Sequence, residues 1–142
     1  MKKIKFFIAA ALCIAVFASC KKEDNSSSNN NSSNNSSVTS VMTSGSWRVS
    51  YYHEGGDDHS TDFSGYTFTF GSSGTMTAVH SSGTTTGTWS KDDSHNEIHF
   101  SIGSSAPLNE LNSGWTVISA TSSEMIFKDD GNSNEELRFV KI

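Results

Sequence analysis

The densest run of chemistry-bearing side chains is His53-Glu54-Gly55-Gly56-Asp57-Asp58-His59, with two imidazoles and three carboxylates in seven residues. Imidazole nitrogen and carboxylate oxygen together suit zinc or another borderline metal. The spacing fits no zinc motif, and the glycines place the run in a loop. His53 and His59 are therefore the metal candidates, with exposed loop histidines as the expectation. His95 and His99 share a strand face, but four residues separate them by about 13 Å, too far to share an ion. Asp130-x-Asn132-x-Asn134 begins like a calcium loop, yet Glu135 and Lys141 stand where such a loop needs glycine and a bidentate glutamate. No Gly-x-Ser-x-Gly elbow, phosphate loop or dinucleotide fingerprint occurs. The carboxylate pairs at 57–58, 92–93 and 129–130 fall at loop tips, where nothing would raise a pKa for acid catalysis. The expectation is a protein that is not an enzyme and carries no cofactor.

A different chemistry is written at Cys20. Lys2, Lys3 and Lys5 open the chain, and Ile4 to Ser19 form an apolar run of 16 residues ending in small side chains. A membrane span needs about 20 such residues; a basic start, apolar middle and small residues before a cysteine mark a secretory signal. Ala18-Ser19-Cys20 resembles a bacterial lipobox. That resemblance implies that residues 1–19 are removed and that Cys20 is acylated, palmitate-type chains holding the protein to a membrane. Lys21-Lys22-Glu23-Asp24 resembles the surface-export signal of Bacteroidota lipoproteins, which implies the outer membrane and exposure at the cell surface. Cys13 lies in the removed segment, so no disulfide is expected.

Residues 20–39 read as a tether. Positions 25–37 are only Asn and Ser, which cannot bury apolar surface. A flexible coil of that length spans about 20 Å. Residues 40–142 then make one domain. Without the three leader lysines the chain holds 7 basic and 15 acidic residues, which disfavours nucleic acid and anionic membrane surfaces as partners.

The domain alternates with period two between turn signals. Strands are expected near 46–54, 64–71, 74–81, 84–90, 96–102, 114–120, 123–129 and 135–141. Trp47, Val49 and Tyr51 share the expected inner face of the first, and Tyr66, Phe68 and Phe70 that of the second. Phe100, Trp115, Phe127 and Phe139 continue it, with Trp89 as a further candidate. Gly71-Ser72-Ser73-Gly74, Ser81-Ser82-Gly83 and Thr121-Ser122-Ser123 read as hairpin connections. Eight strands joined almost wholly by hairpins predict an all-β, eight-stranded antiparallel up-and-down barrel, which removes exposed edges. A two-sheet sandwich is the other architecture the pattern allows.

Gly45-Ser46-Trp47, Tyr66-x-Phe68-x-Phe70 with Gly74-Thr75 after it, Gly87-Thr88-Trp89, Gly114-Trp115-x-Val117 and Leu137-x-Phe139-x-Lys141 follow one another along the domain. In this order they resemble the lipocalin-like domains of Bacteroidota lipoproteins, Gly45 and Trp47 being the family signature. The resemblance implies a cup-shaped barrel with Trp47 at its closed end.

The hairpin topology puts loops 53–64, 80–84, 103–113 and 129–134 at the other end, the expected mouth. Its rim is acidic, with Asp57, Asp58, Asp129 and Asp130 foremost. Two functions follow as expectations. One is a membrane-anchored binding protein for a small apolar ligand at the mouth, lined by Tyr51, Phe70, Ile102, Leu108 and Leu111, the last two as a partial lid. The other is a protein-binding module, an inhibitor or an accessory subunit of an outer-membrane complex, acting through the rim. Nine large aromatics on the inner face predict a packed lower barrel and at most a shallow pocket, since eight strands leave little interior room.

Overall fold

A computed structural model describes residues 33–129, 131 and 134–142. The leader, Cys20, Lys21 to Asp24, the tether through residue 32, Asp130 and Asn132 lie outside the described residues.

One antiparallel sheet closes on itself. In chain order the strands are β1 (Ser46–Glu54), β2 (Asp57–Asp58), β3 (Thr67–Phe70), β4 (Thr75–His80), β5 (Gly83–Asp92), β6 (Glu97–Ser101), β7 (Gly114–Ala120), β8 (Glu124–Asp129) and β9 (Glu136–Lys141). Neighbours along the chain pair by hairpins from β3 to β9, and β1 pairs β9 from Trp47↔Lys141 to His53↔Glu136. The two-residue β2 only extends the β1 hairpin. The eight remaining strands form the expected barrel, because their alternation leaves one face apolar throughout. Trp47, Phe68, Phe70, Met76, Ala78, Trp89, Ile98, Phe100, Ile102, Trp115, Met125, Phe127, Leu137 and Phe139 are all buried.

The rings interlock. Phe139 stands edge-on to Phe68 at 5.3 Å and to Phe70 at 5.7 Å, with Phe100 and Phe127 each at 6.3 Å. Edge-to-face geometry sets the positive rim of one ring against the negative face of the next. The middle of the barrel is a packed aromatic core.

Tyr51 departs from the expected face. A register shift between Val49 and Tyr51 inserts one residue into β1, and such a bulge reverses the alternation beyond it. Tyr52 therefore enters the core, fully buried, while Tyr51 turns outward under the Arg138 guanidinium, 5.1 Å from its ring centroid. Tyr66 is also only half-buried, stacked on His80 at 4.6 Å.

Each end of the barrel is stopped. At the end of Trp47 lies α1 (Ser33–Met42), a helix that the sequence reading lacked. Val38 and Met42 are wholly buried, four residues apart and so on one helix face. Trp47 Nε1 donates to the Met42 carbonyl at 2.9 Å. Lys141 Nζ lies 5.8 Å from the Trp47 ring centroid and donates to Ser44 Oγ. A Cβ on Gly45 would come within 2.9 Å of Lys141 Cε, the far end of a flexible side chain that can shift aside. At the opposite end two 3-10 turns, Ser60–Phe63 and Leu108–Leu111, push Phe63, Leu108 and Leu111 into the opening. Trp115 Nε1 ties the second turn down by donating to the Leu111 carbonyl at 3.0 Å.

Candidate functional site

Of the five residues expected to line a mouth pocket, Leu108 borders the smaller of the two hollows described below and the other four border neither. Phe70, Ile102, Leu108 and Leu111 are buried in the core, and Tyr51 faces outward. Leu108 and Leu111, expected as a partial lid, are buried side chains of the 3-10 turn Leu108–Leu111.

The acidic rim divides into distinct environments. Asp57 and Asp58 are exposed on the β1–β2 hairpin. Hydrogen bonds from the Ser60 hydroxyl and amide hold the Asp58 carboxyl below its usual range. Asp129 is engaged, accepting from Ser113 Oγ and the Gly131 amide, each at 2.6 Å. The buried Tyr52 phenol donates to Glu54 at 3.0 Å, and burial, then that bond, push its pKa far up. Among the described residues Glu110 Oε2 finds no hydrogen-bond partner. Burial, then the nearby Glu54 charge, raise its pKa, with His59 opposing and Asp62 adding to the rise.

The histidines are occupied. His53 stacks parallel to Tyr51 and sets Nδ1 3.0 Å from the Asn134 carbonyl. His59 Nδ1 lies 3.2 Å from Asp62. Among the described residues no three His, Cys, Asp or Glu side chains converge as metal ligands.

Open space is found in the wall instead. β1 pairs β3 only at Ser46↔Thr69 and Trp47↔Phe68. Beyond that point the strands part around the 3-10 turn and Gly65, whose φ of 83° suits glycine. The turn replaces strand partners for β1: the Tyr52 amide donates to Ser60 Oγ, and the His59 amide to the Tyr52 carbonyl, both at 2.8 Å. The result is a hollow of about 430 Å³. Val49 and Phe63 reach it from the core and Tyr66 and Ile142 add apolar surface, while Ser50, Ser60, Thr61, Ser64 and Thr67 bring hydroxyls. Arg48 supplies its only charged side chain. A second hollow of about 290 Å³ lies on the far side of Tyr66, against Thr85 and the loop from Gly103 to Leu108.

Two solved structures share this architecture. One is a DUF4847 family protein from Bacteroides vulgatus, 19% identical, with a TM-score of 0.57, the match covering 74% of this chain and 97% of that one. The other is a lipocalin-like protein from Bacteroides uniformis, 16% identical, with a TM-score of 0.53, covering 72% of this chain and 99% of that one. The fold is lipocalin-like. No family model and no curated protein sequence matches the chain.

Sequence reasoning missed the wall hollow because it treated 53–64 as a rim loop. Gly65 directly before the Tyr66-x-Phe68-x-Phe70 alternation was the available signal: a glycine there marks a break before pairing resumes.

Proposed function

We propose that this chain is a membrane-anchored binding protein that takes a small apolar ligand in the hollow between β1 and β3. The observation that carries the reading is the contrast between a barrel filled by Phe68, Phe70, Phe100, Phe127 and Phe139 and an open hollow in its wall floored by Val49 and Phe63. A volume near 430 Å³ falls within the range of small-molecule sites, roughly 300–1,000 Å³. The lipobox-like Ala18-Ser19-Cys20 supports acylation at Cys20, and Lys21 to Asp24 supports display on the outer membrane.

The test uses the full chain carrying Cys20→Ala, free of lipid. An environment-sensitive apolar dye should bind it, and Thr61→Trp, which fills the hollow from an exposed position, should abolish binding while Phe139→Ala should not. Dye binding indifferent to Thr61→Trp refutes this site. Anchoring is read separately, by incorporation of labelled palmitate that disappears with Cys20→Ala, and surface display by protease digestion of intact cells.

A protein partner docking on the rim remains the second reading, favoured by the exposed Asp57 and Asp58. It predicts a complex dissolved by salt and by changing both residues to Asn, since exposed charges are screened over about 8 Å at physiological ionic strength.

A further inference from the structure

The hollow has a charge character opposite to that of the chain. The sequence holds 10 basic and 15 acidic residues, yet no carboxylate side chain lines the hollow, and its one charged side chain is the Arg48 guanidinium, with the main-chain end of Ile142 also on its lining. The chain has two arginines. Arg138 is engaged, with Glu136 as its ion-pair partner and Tyr51 beneath its guanidinium. Arg48 is exposed, alternating outward from buried Trp47 and Val49, and meets no carboxylate among the described residues. The nearest acid in sequence on the opposite wall, Asp62, faces His59.

A guanidinium is planar and presents a fork of N–H donors that matches a carboxylate or phosphate. Ser64 and Thr67 bring hydroxyls to the same hollow, able to donate to an anion there, while Ser50 Oγ donates to the Arg138 carbonyl at 3.4 Å. The apolar surface of the hollow comes from Phe63, Val49, Tyr66 and the side chain of Ile142, which is 60% exposed. We infer that the ligand is an amphiphile with an apolar body and one anionic head, the head held by Arg48 and the body laid along the gap between β1 and β3. This inference rests on the wall hollow being the binding site. It adds the head group, which a purely apolar ligand would lack.

The experiment compares a dansylated medium-chain fatty acid with its methyl ester on the full chain carrying Cys20→Ala. The two probes share a body and differ in one charge. The acid should bind about tenfold more tightly than the ester. Arg48→Gln should erase that difference by weakening the acid while leaving the ester unchanged, and Arg48→Lys should restore part of it. Thr61→Trp should remove both probes. Arg48 is solvent-exposed, so unchanged tryptophan fluorescence and melting temperature are expected and confirm that the variants fold. If acid and ester bind equally, or if Arg48→Gln leaves the preference intact, the anionic head is refuted and the apolar site stands. If neither probe binds the parent chain, both readings fall together. A dansylated alkyl phosphate separates the sources of the head: tighter binding than the carboxylate points to a phospholipid-like ligand, weaker binding to a free fatty acid, and both support the inference.

Discussion

Replacing Phe139 with alanine tests the packed barrel most directly. The ring is wholly buried and touches aromatic neighbours on four sides, Phe68, Phe70, Phe100 and Phe127. Phe→Ala in a core costs about 3–5 kcal/mol, the larger values arising where the surroundings cannot collapse. Collapse is restricted here because the four rings sit on strands fixed by ladder pairing. We expect about 4 kcal/mol. At about 4–8 °C per kcal/mol for a domain of this size, the melting temperature falls by about 15 °C or more. Urea unfolding followed by circular dichroism should show a lower midpoint with an unchanged slope, since the surface exposed on unfolding stays nearly the same. The vacated space is dry and apolar, so benzene should raise the melting temperature of the variant and not of the parent. A loss below about 1 kcal/mol with no benzene effect would refute the reasoning and leave the barrel interior soft or open.

Gly87→Ala should be nearly as damaging, although it adds one methyl group: its Cβ would lie 2.2 Å from the Ser101 carbonyl oxygen and 2.7 Å from Ile102 Cα. Backbone cannot step aside cheaply, so thermal unfolding should register a loss of about 2 kcal/mol or more. Trp47→Phe keeps an aromatic ring but drops the bond to the Met42 carbonyl; about 1–2 kcal/mol should vanish, and amide exchange across Val38 to Met42 should quicken. The acid side of the stability curve should carry Glu110. Its folded pKa is raised, so the folded state holds the proton more tightly than the unfolded one. The destabilisation is present above the folded pKa and is relieved as pH falls through that value toward the ordinary 4.5. Asp58 and Asp92, both depressed by hydrogen bonds from serine, oppose this at lower pH. Glu110→Gln should therefore be more stable than the parent at neutral pH and lose its gain on mild acidification; identical pH profiles for the two proteins would refute this.

The barrel was legible because its physics is local. Phe68 and Phe70, Ile98 and Phe100, and Leu137 and Phe139 alternate cleanly, and Gly71 to Gly74 closes a hairpin whose ends can only lie side by side. Tyr51 and Tyr52 show where locality ends. Two adjacent tyrosines allow either to face inward, and the bulge that chooses between them is set by pairing with β9 at the other end of the chain. The helix α1 was hidden by composition. Val38 and Met42 have helical spacing, but Asn and Ser around them favour coil, and only the open barrel end gives those two side chains a place to be buried. The site was the least legible part. Whether Leu108 and Leu111 line a pocket or fill the opening depends on Phe63 arriving from another turn. Arg48 drew no notice because an exposed arginine on a strand is ordinary until its surroundings prove to lack a carboxylate.

Ring closure through β1 and β9 sets an order of events during synthesis. β1 emerges first among the strands, and its main partner is the last to be made. Until β9 arrives, the sheet from β1 to β8 has two bare edges, each a template for pairing with another chain. Trp47 meanwhile lacks the cation of Lys141 above it. The chain therefore gains its seal only when essentially all of it is available at once. Loss of β9 would not simply shorten the domain; it would leave an open sheet with an aromatic face, a form prone to associate with its own copies.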